Sequence, residues 1–283
     1  MKRLASLLLL GALQTLLACS HTDPKAATQP MPASPSISPK EDAASTPTTH
    51  YPRPNTLLKD FMTWYSYTYY NIHLAQDFIG LNADSVAVSK ATFLRSLATG
   101  KFIPLQVASQ HSVPTYKLWQ LTSRHDDISQ VIKQLATIEQ DNYSREGQLL
   151  PAYHFTDLAG KNYTPASTNG KILVLKCWFI ACGACVKEFP ELNQLVDEYK
   201  DQKDVLFVSL AMDSKSNLAK FIAKKPFRYA VVPEQTDYLA QQLKVNAYPT
   251  HFLLDRKGRI VKVSSSISDL KPFIAQQLVL AAR

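Results

Sequence analysis

Four cysteines in 283 residues are too few for a disulfide-stapled scaffold. Charged residues are also sparse, at 19% against 46% apolar ones, which excludes wholesale disorder and calls for a packed core. The formal net charge is +8, yet no run of lysine and arginine marks a nucleic-acid face. We read the excess as solubility or mild attraction to an anionic surface. His73, His111 and His125 have no partner at metal-ligand spacing, so they are read as surface or satisfied core residues. The length allows one large domain or two smaller ones.

At the N-terminus, Met1-Lys2-Arg3 is a short basic start. The apolar stretch Leu4 to Ala18, broken by Ser6, Gly11 and Gln14, is too short for a comfortable membrane span. It reads as a signal peptide, residues 1–18. Leu16-Leu17-Ala18-Cys19 resembles a bacterial lipobox, which implies cleavage before Cys19 and lipidation of its thiol. Several acyl chains anchor stably where one does not. Residues 19–54 hold eight prolines among Ser, Thr and Ala, with almost no large apolar residue before Tyr51. Such a segment buries too little surface to offset its ordering entropy and serves as a spacer. The expectation is an exported body, lipid-anchored in the bacterial cell envelope, in a compartment that permits disulfides.

Residues 55–147 predict a small α+β or mostly helical module of unknown role. Leu57, Leu58, Phe61, Trp64, Tyr65, Thr68 and Tyr69 fit one helical face, although so many aromatics also suit a strand. Core packing is the simpler reading of these aromatics, a partner surface the sharper one. Ile72 to Leu81 looks like a strand or a turn and strand. Ala91 to Ala98 reads as a short helix ended by Gly100. Phe102 to Leu105 and Tyr116 to Trp119 are strand candidates. Asp126 is placed as the cap of a longer helix carrying Ile128, Val131, Ile132, Leu135 and Ile138.

Residues 148–283 alternate strands and helices. An apolar run from Ile172 through Phe179 empties into Cys182-Gly183-Ala184-Cys185, and Val186, Phe189, Leu192, Leu195 and Val196 then recur at helical spacing. Two thiols at the head of a helix suit redox chemistry, because its unpaired N–H groups and dipole favour the thiolate. Val205 to Ala211 is a strand. Ser216 or Asn217 starts a helix to Lys224. Tyr229 to Val232 is a strand, and Thr236 caps a helix through Leu243. Thr250 to Asp255 and Arg259 to Ser264 form a hairpin, and Ser268 to Ala282 closes as a helix. This order predicts an α/β fold with a mixed central sheet flanked by helices.

The segment 148–283 resembles the thioredoxin superfamily, most closely its TlpA/ResA type of membrane-tethered thiol–disulfide oxidoreductase. The resemblance rests on Gly-Lys-Ile-Leu-Val-Leu-Lys-Cys-Trp-Phe before the cysteines, Lys-Glu-Phe-Pro-Glu-Leu after them, Ala247-Tyr248-Pro249-Thr250 and Asp255-Arg256-Lys257-Gly258-Arg259-Ile260. Pro190, five residues past Cys185, falls where such helices carry a kinking proline. The resemblance implies a thioredoxin-like fold, no cofactor, protein thiol or disulfide substrates and a membrane-embedded electron donor. It also makes Pro249 a cis-proline beside the cysteines that presents backbone groups to the substrate chain. Trp178, Gly183, Ala184, Tyr248 and Thr250 are then the residues expected to meet the substrate. Cys182, nearer the helix start, is the expected exposed nucleophile and Cys185 the resolving thiol.

Lys176 departs from the family pattern. It lies six residues before Cys182, where thioredoxin carries a buried acid. A buried lysine must shift its pKa or find a partner, and Glu188 is a candidate. Either Lys176 lowers a cysteine pKa by charge, or its stem is buried and its ammonium reaches solvent. Cys177 is read as a small buried apolar residue. Two other functions share these motifs. A peroxiredoxin-like peroxidase would need a threonine three residues before the nucleophile, where Phe179 stands. A metal-chaperone or binding lipoprotein would need a third ligand, for which His251 is the candidate.

Overall fold

The computed structural model describes residues 51 and 53–281, apart from 111, 112, 123 and 124. The signal segment, Cys19, nearly all of the spacer and His111 lie outside these residues. Among the described residues no helix is long and apolar enough to cross a membrane.

The first half is an α+β module. α1 (Pro54–Leu57) leads into α2 (Phe61–Asn71), where Asp60 caps the helix by accepting the Thr63 N–H at 2.8 Å. The aromatic stretch is therefore helical. Trp64 and Thr68 turn inward, while Tyr69 and Tyr70 stay exposed. Between Ile72 and Leu81 the chain makes a turn and then the short strand β1 (Ile79–Leu81), the second of the two expected forms. β2 (Ala87–Val88) and the Ser89-capped α3 (Lys90–Leu97) follow. Gly100 ends that turn at φ +72°, and a Cβ there would meet the Ser129 hydroxyl at 2.8 Å. β3 (Phe102–Gln110) and β4 (Val113–Gln120) are longer than the short strands expected, because they pair along their whole length around one bulge. α4 (Asp126–Arg145) begins one residue earlier than a cap at Asp126 allows: Asp126 is its first residue and His125 flanks it without a side-chain cap. The sheet order is β2-β1-β4-β3, and Trp64, Phe93, Ile103, Tyr116 and Ile132 form the core between sheet and helices.

The second half opens with the small pair β5 (Phe155–Thr156) and β6 (Asn162–Tyr163), then α5 (Pro165–Thr168). Its main elements are β7 (Ile172–Trp178), α6 (Gly183–Lys187), α7 (Phe189–Glu198), β8 (Val205–Ala211), α8 (Lys215–Lys224), β9 (Ala230–Val232), β10 (Thr250–Leu254), β11 (Ile260–Ser264) and α9 (Ile267–Ala281). The five-stranded sheet runs β11-β10-β7-β8-β9. β7, β8 and β9 are parallel, whereas β10 and β11 return antiparallel. Two expected boundaries move. Ser214, not Ser216 or Asn217, caps α8 through the Asn217 N–H. Thr236 caps nothing: its hydroxyl donates to the Met212 carbonyl at 3.3 Å, and the chain makes a π-helical turn at Tyr238–Gln242.

β7 is the central strand and every residue of it is buried. Alternation divides its side chains between two cores. Ile172, Val174 and Trp178 pack with Cys185, Phe189, Leu192 and Leu195 from α6 and α7. Leu173, Leu175 and Cys177 face the other way, toward Phe155, Leu239 and Leu243. The two halves meet where α4 lies against β11. There the buried Lys262 reaches Asp77 at 2.9 Å and Glu146 at 3.2 Å, and its ammonium sits 4.6 Å from the Phe273 ring centre. Lys90 donates to the carbonyls of Ala75 and Gln76, and burial pushes its ammonium down to about 8.

Candidate active site

The site stands at the carboxyl end of β7, where the chain leaves the sheet for α6. Cys182 is the residue preceding that helix, and its sulfur accepts the Cys185 N–H at 3.2 Å. Cys182 and Cys185 are joined in a disulfide, with Cα atoms 5.3 Å apart. The expected exposed nucleophile is nearly covered: Cys182 keeps 8% of its surface and Cys185 none. Gly183 and Ala184 between them are exposed. Beside them the Tyr248-Pro249 bond is cis. Tyr248 lies edge-on to Phe179 at 5.3 Å between ring centres, which places the loop before β10 against the loop before Cys182. Phe179 thus fills with a ring the place where a peroxidase would need a hydroxyl.

Two residues expected to meet the substrate do not reach the surface. Trp178 is fully buried among Phe189, Phe221 and Phe227, because strand alternation turns it to the helix side with Ile172 and Val174. Thr250 is buried too, and its hydroxyl donates to the Ala247 carbonyl at 2.7 Å. Gly183, Ala184 and Tyr248 keep exposed surface. Cys177 is a buried free thiol that burial pushes up to about 12, so it stays protonated and inert at neutral pH.

Behind the disulfide lies a polar network inside the apolar core. Pro190, second residue of α7, has no N–H to continue the helix, and the break falls at Glu188. The Glu188 carboxylate turns toward β7 and accepts from the Lys176 ammonium at 2.5 Å. Lys176 is 0% exposed, so its ammonium does not reach solvent, contrary to the snorkelling alternative. His251 is directly opposite Lys176 in the β10–β7 register, and its Nε2 lies 3.1 Å from the same carboxylate oxygen. Among the described residues no group of three or more His, Cys, Asp or Glu side chains is arranged to hold a metal ion. His251, the third ligand that a metal site would want, is instead engaged by Glu188.

Burial lowers the Lys176 pKa, and Glu188 only partly offsets it. Burial alone would raise the Glu188 carboxyl, but His251 and Lys176 outweigh it and hold the group below its ordinary value. His251 is fully buried and its pKa is lowered, by burial first and by Lys176 as well. A depressed Glu188 stabilises above its unfolded pKa and loses that contribution as pH falls through its folded one. His251 is also depressed, so its contribution is complete above 6.5 and is lost as pH falls below that value. The stability advantage of the oxidised chain over His251→Gln should therefore shrink as pH falls below 6.5 in denaturation melts, and a difference that does not change with pH would contradict this role for His251.

The family model described as the AhpC/TSA family matches residues 147–263. A thiol-disulfide oxidoreductase ResA from Bacillus thuringiensis is 30% identical over 117 residues, which cover 41% of this chain and 67% of the relative. The chain belongs to the thiol–disulfide oxidoreductases of the thioredoxin superfamily. The ResA of Geobacillus thermodenitrificans is 28% identical over 118 residues, or 41% of this chain and 67% of that one. The solved thioredoxin domain of a thiol-disulfide oxidoreductase from Bacteroides vulgatus is 24% identical and superposes with a TM-score of 0.42, covering 46% of this chain and 96% of that domain.

In this oxidoreductase Cys182 and Cys185 are joined in a disulfide, and the Tyr248-Pro249 bond is cis. The sequence reading named Glu188 as a partner for Lys176 but missed His251 as the third member. A signal existed. His251 shares strand parity with Leu253, which packs on the helix side with Val174 and Trp178, and Lys176 shares theirs.

Proposed function

We propose that this chain is an envelope reductant of protein disulfides, working through a Cys182/Cys185 dithiol cycle. The Cys182 thiolate attacks one sulfur of a substrate disulfide. That S–S bond breaks, and the leaving sulfur takes up a proton. Cys185 then loses its proton and attacks the Cys182 sulfur. The Cys182–Cys185 disulfide forms, the second substrate thiol leaves, and two electrons have passed to the substrate. Glu188 lies three residues beyond Cys185, keeps 18% of its side-chain surface and is held anionic, so it is the group we assign to take the Cys185 proton. Lys176 and His251 position that carboxylate.

One observation carries the direction. Among the described residues the only hydrogen bond to a sulfur of the pair comes from the Cys185 N–H, and no charged side chain donates to either. Gly183 and Ala184 bring no side-chain donor to add to the helix N–H groups, and the Lys176 charge is taken up by Glu188. A strongly oxidising pair needs a stabilised reduced form; this arrangement offers little such stabilisation, which supports reduction. The anchor is part of the same proposal: lipid on Cys19 holds the domain at the envelope membrane, and a membrane-embedded dithiol donor restores the reduced pair. A Cys19→Ser chain should leave the membrane fraction, and its retention there would count against the anchor.

The test is a trap. Cys185→Ser should accumulate a mixed disulfide between Cys182 and substrate protein that dithiothreitol releases. Cys182→Ser should trap nothing through Cys185, because Cys185 is fully covered. Trapping through Cys185 instead would reverse the assigned roles.

A further inference from the structure

At α6 and the C-terminal end of α8 lies an open cleft of about 350 Å³ lined by Ile180, Gly183, Val186, Lys187, Phe221 and Lys225. Its floor is apolar, and its two cations are solvent-exposed. Neither Lys187 nor Lys225 is in an ion pair among the described residues. The flanking segment 215–228 holds five basic residues and no acidic one. Among the described residues Arg228 alone of these five is paired, with Asp197. Asp213 accepts the Ile180 N–H at 2.8 Å and is not among the residues lining the cleft. An apolar cleft rimmed by free ammonium groups is complementary to a partner that is apolar and acidic. Gly183, between the two cysteines in sequence, is one of its lining residues, so a segment lying in it passes beside the dithiol motif.

We propose that this cleft receives an acidic, apolar stretch of the substrate protein flanking the disulfide that Cys182 attacks, and that Lys187 and Lys225 set this preference. The inference rests on the reductant reading above. Substrates with glutamate or aspartate beside an aliphatic residue near the cysteine are selected, and those with basic flanks are disfavoured. The step itself is unchanged: the dithiol is oxidised, the peptide disulfide is reduced, and each released peptide sulfur gains a proton.

The experiment uses the reduced full-length chain, freed of reductant, in single turnovers. Two synthetic peptides share one intramolecular disulfide and an adjacent leucine, and differ only in flanking glutamates or lysines. 2-Hydroxyethyl disulfide, small and uncharged, is the third substrate. At low ionic strength the acidic peptide should be reduced at least about fivefold faster than the basic one, as expected of a few solvent-exposed charge pairs acting together. The ratio should shrink toward one in high salt. Lys187→Gln/Lys225→Gln should bring it near one at low salt, and Lys187→Glu/Lys225→Glu should invert it. Equal rates for the two peptides, or a ratio that survives charge reversal, would overturn the cleft while leaving the reductant reading intact. Failure to reduce even 2-hydroxyethyl disulfide would overturn that reading and the cleft with it. If charge reversal abolished sedimentation with phosphatidylglycerol vesicles and left the peptide ratio untouched, the lysines would belong to a lipid surface and the peptide occupant would be excluded.

Discussion

Cys182→Ser is expected to lower the rate of protein-disulfide reduction by at least about 1,000-fold, as the removal of a nucleophile from a catalytic unit does. The reason is positional. Cys185 is fully covered, so it offers no alternative route to a substrate sulfur. Cys177 offers none either, since it is buried on the opposite face of β7 and its thiol is pushed up to about 12 by burial. A serine hydroxyl at 182 neither ionises near neutral pH nor exchanges with sulfur. An insulin-reduction assay driven by dithiothreitol reads the loss against the uncatalysed rate. Cys177→Ala should leave that rate within about twofold, in keeping with a buried inert thiol. A Cys182→Ser chain that retains a tenth of the activity would place the nucleophile elsewhere.

Glu188→Ala should destabilise the oxidised chain by about 3–5 kcal/mol, the usual cost of removing one member of a buried ion pair. The truncation leaves the Lys176 ammonium, 0% exposed, without its partner in an apolar core. It also strips His251 of its Nε2 contact. The pair itself is not expected to be a large net source of stability, because desolvation offsets most of its attraction. Lys176→Met/Glu188→Ala should therefore recover more than half of the single-variant loss, since methionine fills the lysine stem without a charge. Urea melts of the two single variants and the double variant measure the coupling directly. A loss below about 1 kcal/mol for Glu188→Ala, the range of exposed pairs, would mean that the pair is solvated. The same variant has a kinetic signature that a purely structural role would not produce. Resolution of the mixed disulfide should lose the acidic limb of its pH profile, and Glu188→Asp should restore part of it.

These expectations also show what could be read in the chain beforehand. The strand into Cys182, the dithiol motif and the helix after it are local patterns, so apolar run, spacing and proline position sufficed. Pro249 was legible only through the resemblance carried by Ala247-Tyr248-Pro249-Thr250. His251 was not. Its meeting with Lys176 depends on the register between β10 and β7, which are separated by most of a domain in sequence. The resemblance put Trp178 at the substrate surface. Period-two alternation, applied through the whole of β7, puts it inside with Ile172 and Val174. In the first module the helices were visible through their periodicity. The parallel pairing of β1 with β4 was not, since three-residue strands carry little pattern and their pairing is long-range. The π-helical turn at Tyr238–Gln242 has no composition cue to separate it from an ordinary helix.

Electrons are proposed to leave this dithiol for substrate. The reduction potential of the Cys182/Cys185 pair tests that most directly, by equilibrating the soluble Cys19→Ser chain with glutathione or dithiothreitol redox buffers at pH 7. A value at or below about −230 mV, toward the thioredoxin range near −270 mV, is the predicted result. A value near −120 mV, where a dithiol serves as a strong oxidant, would contradict it.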